Sequence, residues 1–179
     1  MSQQPPGANR LFRWLNSLVC RHWHRLESKT IALPDGPLIL IGNHRCGLDP
    51  LLVQASVDRP LCFLMDREYY HGMLGMKWFF RAVGAIPVSS GGANRHALRE
   101  AIEVLEMGGV LCIFPEGGAN PKIPLKRIYP GAAMLALETG APLLAFRVTG
   151  VWPFDHIHIW KGLLKRSRAI LSFGKVHRL

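Results

Sequence analysis

The sequence predicts an α/β fold: a single layered domain with a mostly parallel sheet flanked by helices, preceded by an N-terminal amphipathic helix. Three observations predict it. Short, branched apolar runs of strand length alternate with segments of helical period between residues 37 and 149. Glycines and prolines punctuate the boundaries of those runs. A length of 179 residues, 49% hydrophobic and 19% charged, suits one domain with a sizeable core.

Residues 11–26 read as the amphipathic helix. Leu11, Trp14, Leu15, Leu18, Val19 and Leu26 fall at helical spacing, with Arg10, Arg13, Arg21 and Arg25 elsewhere on the wheel. Such a helix suits packing on the domain or lying in a membrane interface. Residues 1–29 are therefore set apart as an amphipathic, interfacial region, and 30–179 as the domain proper. Leu38–Ile41, bounded by Pro37 and Gly42, reads as a buried strand. A helix over 49–56 follows, with Asp49 as N-cap and Pro50 as first helical residue. Leu61–Met65 is a short strand. Residues 67–82 hold Met73, Met76, Trp78, Phe79 and Phe80, a cluster suited to core, to an apolar tunnel or to a membrane-facing patch.

Ala85–Val88 is extended, and Pro87 suggests a sheet edge. A helix over 94–107 is capped by Asn94, lines one face with Ala97, Leu98, Ala101, Ile102 and Leu105, and stops at Gly108. Strand 110–114, helix 131–139 ending at Gly140, and strand 143–149 complete the alternation. His156–Trp160 and Ala169–Phe173 read as two further extended stretches around the basic run from Lys161 to Arg168.

With 22 basic and 12 acidic residues, the net charge is +10 and the pI near 10.0. That balance suits a polyanionic partner, nucleic acid or an anionic lipid surface. No nucleic-acid motif supports the first, so an anionic membrane surface and no nucleic acid are expected. No run reaches the roughly 18 apolar residues of a spanning helix, and residues 1–10 do not resemble a secretory signal. The chain is thus expected to be soluble or to lie on a membrane without spanning it. Cys20, Cys46, Cys62 and Cys112 form no Cys-x-x-Cys pair and read as reduced thiols. His22 and His24, like His156 and His158, are too few for a metal site, so no metal is expected.

Residues 43–50 read Asn-His-Arg-Cys-Gly-Leu-Asp-Pro. The spacing of His44 and Asp49 lets a carboxylate fix the imidazole tautomer and support the imidazolium formed when its other nitrogen takes a proton. No nucleophile accompanies them, so the activated hydroxyl belongs to a substrate; Cys46 is a poor nucleophile candidate because neighbours two apart in a turn diverge. The bland alternative is ordinary helix capping beside a structural histidine. A second motif, Phe-Pro-Glu-Gly-Gly at 114–118, follows the strand 110–114. Pro115 ends the ladder, Glu116 presents a carboxylate at the strand's carboxyl end, and Gly117-Gly118 lets a ligand approach the backbone.

Together these motifs resemble the glycerolipid acyltransferase family, whose bacterial members include 1-acylglycerol-3-phosphate acyltransferases. Asn43, His44 and Asp49 match its Asn-His-x4-Asp motif, Phe114 to Gly117 its Phe-Pro-Glu-Gly, and Gly84 and Ile86 begin its Gly-x-Ile-x-x-x-Arg. Pro130-Gly131-Ala132 and Gly140-Ala141-Pro142 match regions downstream. The resemblance covers about residues 30 to 150 and marks 30–179 as an acyltransferase domain. It implies transfer of a fatty acyl group from acyl-CoA or acyl carrier protein to a lysolipid hydroxyl. His44 would be the base and Asp49 its orienter, with no cofactor beyond the thioester. It further implies substrate contacts at Asn43, Glu116, Gly117 and Gly118, and a peripheral position on the cytoplasmic face of a membrane.

Two positions depart from the family. The arginine of the Gly-x-Ile motif falls on Ser90, and the Thr-Arg after Phe-Pro-Glu-Gly is Gly118-Ala119. A serine hydroxyl cannot reproduce the bidentate phosphate contacts of an arginine fork. Either Arg95, Lys122, Lys126 or Arg127 takes over the phosphate, or the acceptor is phosphate-free, such as an amino-lipid; a lipid-binding protein without turnover is the remaining alternative.

Overall fold

The computed structural model describes residues 7–73, 75–89, 95–118, 128–151 and 164–179. Its elements run α1 (Arg10–His22), β1 (Leu38–Gly42), α2 (Asp49–Ala55), β2 (Leu61–Asp66), α3 (Arg67–Gly72), α4 (Lys77–Ala82), β3 (Ala85–Val88), α5 (Arg95–Glu106), β4 (Val110–Ile113), α6 (Gly131–Thr139), β5 (Leu143–Thr149) and β6 (Ile170–His177). The six strands form one sheet in the order β3-β2-β4-β1-β5-β6. The first five are parallel, and β6 runs antiparallel to β5. This is the predicted α/β class. β3 lies at an edge, where Pro87 breaks no inner ladder.

Side chains alternate between two cores on the faces of the sheet. Leu38, Leu40, Phe63, Val110 and Cys112 pack with Leu52 and Val53 of α2 and Cys20 of α1. Ile39, Cys62, Leu111 and Ile113 pack with Ala97, Ala101 and Leu105 of α5 and Leu135 of α6. β1 therefore leads to a helix on one face, and its neighbour β4 leads to α6 on the other. Adjacent strands that lead to helices on opposite faces are the layout that places a ligand crevice at their carboxyl ends.

Several expectations need correction. The N-terminal helix stops at His22 rather than running to 26, because Arg25 turns left-handed at φ 47°; Leu26 returns to the core. Asp49 is the first residue of α2, not its cap, which is Leu48 without a side-chain bond. Its carboxylate serves amides behind it instead. Residues 67–82 split into α3 and α4, burying Tyr70 and Phe80 in a third cluster with Phe12 of α1, while Trp78 is 70% exposed. β6 extends beyond the predicted 169–173, because its pairing with β5 continues to His177. The predicted cap Asn94 and the stretch 156–160 lie outside the described residues.

The orientation of α1 reverses the simplest reading of an amphipathic helix. Asn16 and Cys20 face the domain, the Asn16 amide donating to the Leu51 carbonyl at 2.8 Å. The apolar face points outward: Leu11 is 66% and Trp14 59% exposed, with Leu15, Leu18 and Val19 beside them.

Candidate active site

The site is built on the carboxyl end of β1. Gly42, the last residue of that strand, has no room for a side chain: a Cβ would come within 2.3 Å of the Phe146 ring. Asn43 follows, and its amide group grips β5, donating to the Val148 carbonyl at 3.0 Å and accepting from the Val148 N–H at 2.8 Å. These two hydrogen bonds fix the direction in which the chain leaves β1.

His44 then projects over the crevice. Its Nδ1 lies 2.8 Å from Asp49 Oδ2, and Asp49 is fully buried. The same carboxylate oxygen accepts from the backbone N–H groups of Arg45 and Cys46, the latter at 2.8 Å. A carboxylate oxygen that holds two amides is fixed in place, and it suits the tautomer in which Nδ1 donates to it and Nε2 carries the lone pair. The imidazole is stacked on Phe114, with ring centres 4.3 Å apart and an interplanar angle of 22°; Phe114 in turn meets Phe146 edge-on. The ring of Phe114 is a positioning contact that no spacing rule revealed, although the residue lay inside a recognised motif.

Across the crevice, Glu116 accepts from the His44 backbone N–H at 3.3 Å, tying the turn after β4 to the turn after β1. Gly117 adopts φ 70°, and a Cβ there would press on the Tyr129 ring at 2.6 Å. The Tyr129 N–H donates to the Pro115 carbonyl at 2.8 Å, which closes the loop between β4 and α6 back onto the motif. Gly118 is the last described residue of that turn, partly buried.

Cys46 lies beneath the pair. Its thiol donates to Asp49 Oδ1 at 3.4 Å, and burial, then the Asp49 charge, push its pKa well above the ordinary thiol value. It stays protonated and is no nucleophile. Arg95 opens α5, exposed, on a helix packed against β3 and β4; Ser90, Ala119, Lys122, Lys126 and Arg127 lie outside the described residues. Among the described residues no group of three or more His, Cys, Asp or Glu is arranged to hold a metal ion.

The arrangement has what deprotonation of a hydroxyl requires: an oriented imidazole, a buried carboxylate behind it and glycine-rich backbone beside it. Residues 24–149 match the acyltransferase family. The chain is similar to the Mycoplasma pneumoniae protein named probable 1-acyl-sn-glycerol-3-phosphate acyltransferase, 23% identical over 128 residues, or 66% of this chain and 46% of that protein. It thus spans about half the length of that curated relative. Among solved structures it is similar to the 1-acyl-sn-glycerophosphate (LPA) acyltransferase PlsC from Thermotoga maritima. The TM-score is 0.64 at 22% identity, covering 94% of this chain and 69% of that one, a likeness of fold.

Proposed function

Since the chain belongs to the acyltransferase family, we propose that it moves a fatty acyl group from a thioester, acyl-CoA or acyl carrier protein, to the hydroxyl of a lysolipid of the lysophosphatidic acid type. The observation that carries this reading is the His44–Asp49 pair at the mouth of the crevice between β1 and β4. Nε2 takes the acceptor's proton as its oxygen attacks the thioester carbonyl. The imidazolium that forms is held by Asp49. When the tetrahedral adduct collapses, the carbon–sulfur bond breaks and the departing thiolate recovers that proton from Nε2. Backbone N–H groups of the glycine-rich turns are the donors this reading assigns to the oxyanion. Asn43, in this reading, positions His44 through β5 and does not itself hold substrate.

The test is a panel of lysolipids, with and without phosphate, incubated with labelled acyl-CoA and with acyl-loaded carrier protein. Transfer to none of them by the wild-type chain would refute the reading.

We place the protein peripherally on the cytoplasmic face of a membrane. The outward apolar face of α1 supports that position, and four cysteines kept as buried thiols suit a reducing side. No helix among the described residues is long and apolar enough to cross a membrane. Burying one large apolar side chain contributes about 1.5–3 kcal/mol. The double variant Trp14→Ser/Leu18→Ser, altered only on the exposed face, is therefore expected to co-sediment with anionic vesicles at least about tenfold more weakly than wild type. Equal sedimentation of the two would remove α1 from the membrane contact.

A further inference from the structure

A second feature sits at the same edge of the sheet, on the other side of β1. Beyond β5, a cleft of about 560 Å³ is lined by Arg25, Arg45, Arg166 and Arg168 together with Gly150 and Ser167. We propose that this cleft is the subsite for the phosphate of a phosphate-bearing lysolipid acceptor. The inference rests on the acyl-transfer reading above and names the part of the acceptor that the four arginines would hold.

Placement comes first. β1 is flanked by β4 on one side and β5 on the other. Glu116 follows β4, whereas Gly150 follows β5, and Ile170 at the start of β6 pairs with Thr149 at the end of β5. The residues just before β6, Arg166 to Ala169, therefore share the carboxyl edge with His44. Arg45 is the next residue after His44 and spans from the catalytic turn to this cleft.

The charge is unbalanced. Glu27 pairs with Arg168, but Arg25, Arg45 and Arg166 have no carboxylate partner among the described residues. Guanidinium groups gathered around one space repel each other unless an anion joins them. The fork of an arginine fits two phosphate oxygens at once. The volume lies in the range of small-molecule sites, larger than a bare ion needs.

The cleft is also built rather than accidental. Gly150, at φ 71°, brings its backbone so close to the opposite wall that a Cβ would lie 1.9 Å from the Arg168 carbonyl oxygen. The Arg168 N–H donates to the Gly150 carbonyl at 3.3 Å, and the Ala169 N–H to the His24 carbonyl at 3.2 Å. Three distant segments are thereby stitched into one rim. Arg25 is the only non-glycine residue at positive φ among the described residues, a conformation that glycine would adopt without strain. Below the rim, buried His24 places Nδ1 3.2 Å from Ser167 Oγ, and its Nε2 meets no hydrogen-bond partner among the described residues.

The acceptor, rather than the donor, fits the surroundings. Arg166 lies over the ring of Trp23, 5.1 Å from its centre, and Trp23 is 40% exposed just past the end of α1. The cleft thus opens beside the apolar face that we place on the membrane, at the level where a lipid's phosphate resides. It would also supply the arginines missing at Ser90 and Ala119.

The test uses the full chain and the double variant Arg45→Gln/Arg166→Gln, whose two side chains are exposed. Glycerol 3-phosphate and CoA are titrated by calorimetry, and acylation of lysophosphatidic acid is compared with that of monoacylglycerol. The expected result is loss of glycerol 3-phosphate binding and a KM for lysophosphatidic acid raised at least about tenfold for each arginine removed. A thermal melt matching wild type reports an intact fold, and kcat for lysophosphatidic acid should change far less than KM. If the variant matches wild type in glycerol 3-phosphate binding and in that KM, the proposal is overturned. Loss of CoA binding alone would also overturn it, assigning the arginines to the donor. Arginine-dependent glycerol 3-phosphate binding by a wild-type chain that acylates nothing would support the cleft while the transfer reading falls.

Discussion

Replacing His44 with alanine is expected to lower acyl transfer by about two to four orders of magnitude, the range that a positioned general base supplies. The loss should appear in kcat and kcat/KM alike, because the base acts as the bond forms and not when the substrate docks. Stability should change little. The imidazole packs on Phe114, but its backbone bond to Glu116 survives the substitution. Steady-state rates with each accepted lysolipid, beside a thermal melt, provide the measurement. Activity equal to wild type in a folded His44→Ala chain would remove His44 from the chemistry and leave the pair a structural cap.

Asp49→Asn tests the other half, and its effect should approach that of His44→Ala. Asp49 Oδ2 accepts from the backbone N–H groups of Arg45 and Cys46 as well as facing His44 Nδ1. An asparagine has one acceptor oxygen. If that oxygen takes the place of Oδ2 it keeps both amides and still faces His44 Nδ1, while the NH2 group meets the Cys46 thiol, so what is lost is the negative charge that supports the imidazolium. The double variant His44→Ala/Asp49→Asn should then be scarcely slower than either single one. Asp49→Ala is expected to be destabilising as well, by about 1–3 kcal/mol for each buried amide left without its acceptor. Chemical denaturation reads that directly. A fully stable Asp49→Ala chain would mean that the turn has other partners for those amides.

Much of this frame was legible in the sequence where the signals are local. Helix 131–139 and strand 143–149 occur at their predicted bounds, because Gly140 at φ 66° ends one and the alternation of Leu144, Phe146 and Val148 defines the other. β1 and the His44–Asp49 contact were equally readable, since five residues of spacing decide both. Asp49 was misplaced as a cap because an aspartate beside a proline can serve amides ahead or behind, and only the path of the turn selects which.

What stayed hidden depends on distant parts of the chain. The periodicity of α1 announces two faces without saying which one meets the domain. That choice is made by the Leu51 carbonyl waiting for the Asn16 amide. The arginine cleft was invisible for the same reason. Residues 25, 45, 166 and 168 have no common spacing, and they meet only because β6 turns back along β5.

The central place of β1 also governs when the site comes into being. β1 is the first strand in the chain, yet Leu40 finds its neighbours in Cys112 on one side and Leu144 on the other. Pairings between residues so far apart along the chain form slowly, since long loops must close first. A nascent polypeptide can draw His44 and Asp49 together early, but the ring of Phe114, the carboxylate of Glu116 and the clasp of Asn43 on Val148 arrive only with the second half of synthesis. Catalytic competence would therefore be the last property acquired, and enzyme activity a faithful clock for completion of the sheet.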